Sequence, residues 1–148
     1  HMEWVEINWN EKQGEIPATK MKMKQPHLVP LSDQSIVVLK YMESLRGISN
    51  FVFPSARGAS RPLSENGVRT ALRTMGYSND QMTAHGFRAM ARTILDERLN
   101  YRTDFIEHQL AHAVKDPNGR AYNRTKYLSQ RKEMMQRWAN YLDELKCI

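Results

Sequence analysis

Cysteine is almost absent from these 148 residues: the single one, Cys147, stands near the end of the chain and has no partner for an internal disulfide. That excludes a disulfide scaffold and agrees with a cytoplasmic home. Long apolar runs are missing too. The longest spans only Ile36 to Leu39, so no transmembrane helix fits the chain. The start reads His-Met-Glu-Trp, with neither a charged leader nor an apolar stretch, and no signal peptide is expected. His1-Met2 reads as a cloning scar, with the natural chain beginning upstream. Acidic residues are the minority, 16 against 22 Lys+Arg, for a net charge of +6. That excess suits a polyanionic partner without demonstrating one. What is present is the material of one globular domain, 41% apolar and 26% charged, long enough to bury a core unaided.

Residues 4–9 alternate with period two, apolar at Trp4 or Val5, Ile7 and Trp9, and read as a strand. A turn follows, then a second strand over 15–18, a lysine-studded connection, and a third strand over 26–31 whose prolines place it near an edge. Three strands on short connections make an antiparallel meander. From Ser32 the period becomes helical. Ser32 is the N-cap, and Ile36, Leu39, Met42 and Leu45 recur until Gly47. Residues 51–54 read as a short extended piece, and 55–62 as a loop with two arginines. Ser64 is expected to cap a second helix bearing Val68, Leu72 and Met75, closed by Gly76. Thr83 opens a third, with Phe87, Met90, Ala91, Ile94 and Leu95 on one face, and a fourth spans 101–112. After a Lys-Asp-Pro-Asn-Gly loop, 121–126 reads as a helical turn and 127–145 as a long amphipathic helix. The reading is one mainly α (α+β) domain over 1–148: a meander over 3–31, a helical core over 32–125 and a C-terminal helix over 126–148.

Several residues could carry chemistry. His85, Arg88 and Arg92 share one face of the third helix, and a His beside an Arg can hold an anion, since the planar guanidinium fork grips two phosphate oxygens. A solvated polar face is the plainer account of the same residues. His108 and His112 stand four apart, a spacing that can share zinc. Glu107 lies outside the pair, however, so the His-Glu-x-x-His arrangement is not met. Tyr122 follows ten positions after His112 and could act as a nucleophile if cations stabilise its phenolate, whereas Tyr127 and Tyr141 fit aromatic anchors. Lys20, Lys22 and Lys24 alternate, and in an extended segment all three would face one side.

The order Lys, His85-Gly86-Phe87-Arg88, Gln109-Leu110-Ala111-His112 and Ala121-Tyr122-Asn123-Arg124 is informative as a set. With it come Met21-Lys22-Met23-Lys24-Gln25-Pro26-His27-Leu28-Val29-Pro30, Phe51-Val52-Phe53-Pro54-Ser55 and Arg137-Trp138-Ala139-Asn140-Tyr141-Leu142. Together these resemble the tyrosine recombinases, the phage integrase family, and within it the prophage integrases of the bacteriophage P4 type. The resemblance implies the DNA breaking-rejoining fold and strand exchange through a 3′-phosphotyrosine, with no cofactor and no metal. It implies Tyr122 as nucleophile, Arg88, His85 and His112 around the phosphate, and Lys22 as general acid, with Ala111 where the family has glycine. Lys20, Lys24, Arg92 and Arg124 would contact DNA. The partners implied are double-stranded attachment-site DNA and further copies in a synaptic tetramer, in the cytoplasm of a bacterium, associated with the nucleoid. The apolar stripe of the last helix suits packing onto its own domain or docking on a neighbouring protomer. The family also uses an arginine in an Arg-x-x-Glu motif ahead of the first strand. None stands there, so the chain is expected to be a carboxy-terminal fragment, impaired alone. The alternatives are a non-catalytic helical DNA-binding module, or a zinc-dependent hydrolase using His108 and His112.

Overall fold

Alternation at the start of the chain gives way to a local hydrogen bond. The Glu6 carboxylate accepts from the Glu3 backbone N–H at 2.8 Å, and Trp4–Glu6 closes into a 3-10 turn instead of continuing a strand. The turn sends Trp4 inward, stacked on Trp9 at 6.5 Å between ring centres, while Val5 is left exposed. In this computed structural model, residues 1–22, 24–112 and 127–146 are described. Strand β1 is Ile7–Asn8, β2 is Gln13–Ile16 and β3 is His27–Pro30, forming an antiparallel sheet in the order β1-β2-β3. The register pairs Ile7 with Gly14 and Gly14 with Val29, so the expected meander is present, with a shorter first strand.

The connection carrying the three lysines is not extended. Ala18–Lys20 is a second 3-10 turn and Lys24 adopts φ +52°, so the premise that put Lys20, Lys22 and Lys24 on one side does not hold.

Helix α1 is Asp33–Ser44, capped by the Ser32 hydroxyl accepting from the Ser35 N–H. Of its expected apolar face only Leu39 is buried, while Leu45 is 60% exposed. The stretch read as a loop is a hairpin, β4 (Pro54–Ser55) with β5 (Gly58–Pro62). Helix α2, Gly67–Thr74, begins later than expected. Asn66 holds the cap position without a side-chain bond, and Ser64 contributes its carbonyl to Gly67. Leu72 is buried there, but Val68 and Met75 face solvent. Helix α3, Ala84–Glu97, starts at Thr83 as read. Its Phe87 is exposed rather than core, because burial on this helix is reached only at Leu95.

Helix α4 is Thr103–Gln109, and the long last helix α5 is Leu128–Lys146. Helix α5 packs on its own domain, against β3, α1, α3 and α4. Its apolar side meets α3 and α4 through Met134, Leu95 and Ile106, with Met135 and Trp138 beside them. A second core gathers Trp4, Ile7, Leu39 and Val52. Toward α1 the contact is polar: Gln34 Nε2 donates to Asn140 at 3.0 Å and to Asp143 at 2.8 Å, and Gln136 accepts from the Asp33 N–H at 2.9 Å. Among the described residues no helix is long and apolar enough to cross a membrane.

Candidate functional site

Helix α3 starts where it does because the Thr83 hydroxyl accepts the Gly86 N–H at 2.9 Å. That start places His85, Arg88 and Arg92 along one line of the helix, all exposed. Arg88 reaches across and donates to the Leu110 carbonyl, 22 residues on in sequence. That carbonyl is one of the unpaired acceptors at the end of α4, where a cation is favourable. Arg92 donates through Nε to Glu107 of α4 at 2.6 Å.

The end of α4 fixes His112. The His112 N–H bonds to the Glu107 carbonyl at 3.0 Å, and the Ala111 N–H to the His108 carbonyl at 3.2 Å. Ala111 sits between them at φ +51°. These two bonds with a left-handed residue are the Schellman ending of a helix, whose usual left-handed residue is glycine. The motif folds the chain back, so that His112 Nδ1 meets the other oxygen of Glu107. Burial would raise the Glu107 carboxyl, but the hydrogen bonds from His112 and Arg92 outweigh it and hold the group below the usual carboxylate range.

Beneath this surface lies a buried cluster that the sequence reading missed. Arg131 of α5 is fully buried; its Nε donates to the Gln109 side chain at 2.9 Å, Nη1 approaches His108 Nδ1 at 3.3 Å, and Nη2 donates to the Leu28 carbonyl. A guanidinium only donates, so His108 Nδ1 accepts and its proton lies on Nε2. His27, at the head of β3, has Nε2 at 3.2 Å from the Gln109 carbonyl. Burial, then the charge of Arg131, with His108 and Arg88 adding to it, lowers the His27 imidazole to about 4, and the Gln109 carbonyl opposes this only in part. The cluster ties β3, α4 and α5 together, and its Gln109 directly precedes Leu110, whose carbonyl Arg88 bonds. No spacing rule marks Arg131 in the sequence, because its partners are main-chain and amide groups from distant elements.

The residues expected to act together are thus partly united. Arg88, Arg92 and His112 meet at the α3–α4 junction, and His85 lies one turn before Arg88 on the same line. Lys22 is exposed on the connection before β3, and Lys24 likewise. Lys20 is taken up elsewhere: its ammonium lies 2.7 Å from both Glu3 and Glu6. Burial works against its charge, but the bonds to Glu3 and Glu6 carry the group above the ordinary lysine range. Tyr122 and Arg124 lie outside the described residues, as does the expected loop and turn before α5. Tyr127 packs its ring on Phe105 at 4.9 Å and edge-on to His108 at 6.3 Å.

The shared-zinc geometry for His108 and His112 is not present. Helix α4 ends at Gln109, so His112 is carried off the helix by Ala111 and paired with Glu107, while His108 is buried against Arg131. Among the described residues no group of three or more His, Cys, Asp or Glu side chains could hold a metal ion.

The phage integrase family matches residues 1–128 of the chain. Prophage integrase IntA of Escherichia coli (strain K12) is 42% identical over 93% of this chain and 33% of its own length. The integrase of Enterobacteria phage P4 is 38% identical over 95% of this chain and 35% of its length, and that of Shigella phage Sf6 38% over 97% and 37%. The chain therefore spans about a third of the length of these curated relatives. No solved structure matches it.

Proposed function

The chain belongs to the phage integrase family, and from that membership we propose that it is the catalytic portion of a site-specific recombinase that cuts and rejoins DNA through Tyr122. The observation that carries the reading is the junction of α3 with the end of α4. Two segments remote in sequence bring Arg88, Arg92 and His112 to one exposed surface.

In the proposed reaction the Tyr122 hydroxyl gives up its proton to solvent as its oxygen attacks the scissile phosphorus, and the bond to the 5′-oxygen breaks. Lys22 passes a proton to that oxygen, which leaves as a 5′-hydroxyl. The product is a 3′-phosphotyrosine. A 5′-hydroxyl from another strand reverses the step, displacing the tyrosine and restoring a phosphodiester, so one exchange is split into two transfers. Arg88 and His85 hold the oxygens on which negative charge gathers in the transition state. His112 bonds a non-bridging oxygen and orients Tyr122. Lys24, Arg92 and Arg124 contact the DNA backbone, whereas Lys20, held by two carboxylates, is the weakest of the proposed DNA contacts. The partners are duplex attachment-site DNA and three further copies in a synaptic tetramer, working in the bacterial cytoplasm on the nucleoid.

The 148 residues contain no Arg-x-x-Glu sequence. Loss of one preorganised donor slows such chemistry about a hundred- to a thousand-fold. The chain alone should form a covalent adduct on a nicked attachment-site duplex that much more slowly than a longer chain supplying the arginine. In the longer chain Tyr122→Phe should abolish the adduct, read as a protein–DNA species surviving denaturing electrophoresis, and Tyr127→Phe should not. Loss with Tyr127→Phe alone would overturn the nucleophile assignment.

A further inference from the structure

Glu107 is the one acidic group in the cluster, and its placement is not that of an incidental surface ion pair. It bonds two partners at once, one per carboxylate oxygen: Arg92 Nε on Oε1 and His112 Nδ1 on Oε2. Its side chain is 21% exposed, against 44% for each partner, so the carboxylate forms the floor and the guanidinium and imidazole the rim. The contact with His112 is built into the backbone. In a Schellman ending, the residue after the left-handed position folds over the residue three places before the cap, and here those two are His112 and Glu107. Helices usually fill that contact with two apolar side chains. This one fills it with an imidazole and a carboxylate.

We propose that Glu107 is a positioning residue: it holds the hydrogen of His112 on Nδ1 and the Nε edge of Arg92, so that His112 Nε2 and the Arg92 Nη groups are the atoms offered to a DNA phosphate. The part that concerns DNA rests on the recombinase reading above. The part that concerns His112 does not. A carboxylate is acceptor-only, so Nδ1 must carry the hydrogen whether the ring is neutral or charged. Nε2 is then the free atom in both states. Neutral, it accepts from a tyrosine hydroxyl; charged, it donates to a phosphate oxygen. A carboxylate behind a histidine fixes tautomer and ring orientation in the same way in other catalytic and metal sites. Arg92 is treated alike: its Nε is used by Glu107, and among the described residues its Nη groups have no other partner.

The test uses the 148-residue chain and histidine ¹⁵N NMR near neutral pH, with circular dichroism confirming that each variant is folded. The expected result is His112 protonated on Nδ1 in the native chain and in Glu107→Gln, whose amide oxygen still accepts. In Glu107→Ala the hydrogen should move to Nε2. An Nε2-protonated ring in the native chain, or no change in Glu107→Ala, overturns the proposal. With a short duplex added, the larger shift should fall on Nε2. An equal or larger shift on Nδ1, meaning that DNA displaces Glu107, also overturns it. A duplex that binds while leaving both nitrogens of His112 unmoved sinks the recombinase reading of this surface, and the Glu107-dependent tautomer then stands alone.

Discussion

His27 shows how much a single side chain can carry. It is 2% exposed, donates to the Gln109 carbonyl, and shares its surroundings with Arg131, His108 and Arg88. A proton added here would place a charge in a buried, already positive space. Folding therefore holds the ring neutral at about 4, against 6.5 when the chain is open. Because the folded value is the lower one, the unfolded chain binds the proton first. The stabilisation is complete above pH 6.5, is lost as pH falls through the window down to 4, and amounts to about 3 kcal/mol in all. Urea unfolding between pH 7 and 4 should show this slope, and His27→Gln, which can still donate to the carbonyl, should flatten it. An equal slope in the variant would assign the acid sensitivity to other groups. His27 was legible in the sequence only as part of a strand, since nothing local announces that a lysine-rich connection leads into a buried imidazole.

At the scale of elements, what could be read was what is local. Ser32 and Thr83 cap their helices as expected, because a cap is a bond over three residues. The length and type of α5 were also legible, from a long amphipathic repeat. Burial of individual faces was not. Of the repeat read on α1, Leu39 is buried and Ile36 and Met42 are half-buried, but Leu45, at its end, faces solvent, since periodicity reports a helix and says nothing of which neighbours arrive. The hairpin β4–β5 was missed because Pro54, Gly58 and Pro62 punctuate it and no alternation survives. The ending of α4 lies between these cases. Ala111 could be noted as standing in for a glycine, but the reason is a backbone at φ +51°. A side chain there costs about 1–2 kcal/mol, part of which glycine would give back as extra freedom in the unfolded chain. Ala111→Gly should therefore raise the unfolding free energy by about 1 kcal/mol, measured from denaturant midpoints, and leave the Glu107–His112 contact in place. A loss of stability instead would mean that Ala111 does not adopt the left-handed backbone.

The whole molecule divides its cations by what surrounds them. Two apolar cores, one around Trp4 and Val52 and one around Ile106 and Met134, are joined through β3 and α5, and the fully buried Arg131 is spent on that join. Lys20 is spent on Glu3 and Glu6 at the amino-terminal turn. Lys22 has no partner among the described residues and stands exposed ahead of β3. Net charge alone, +6 over the chain, would treat Lys20 and Lys22 as equal. Their surroundings do not. A lysine that meets a phosphate releases a counterion, and each such contact adds about 0.9 to the slope of log affinity against log salt. Lys22→Ala should therefore lower that slope for duplex DNA by about one, measured by fluorescence anisotropy over a salt series. Lys20→Ala should leave the slope nearly unchanged and cost at most about 1 kcal/mol of stability, since its ion pairs are part-exposed. Equal slope losses in the two variants would mean that DNA pulls Lys20 away from its carboxylates. The sequence reading would then have been right, for DNA contact, to set the two lysines side by side.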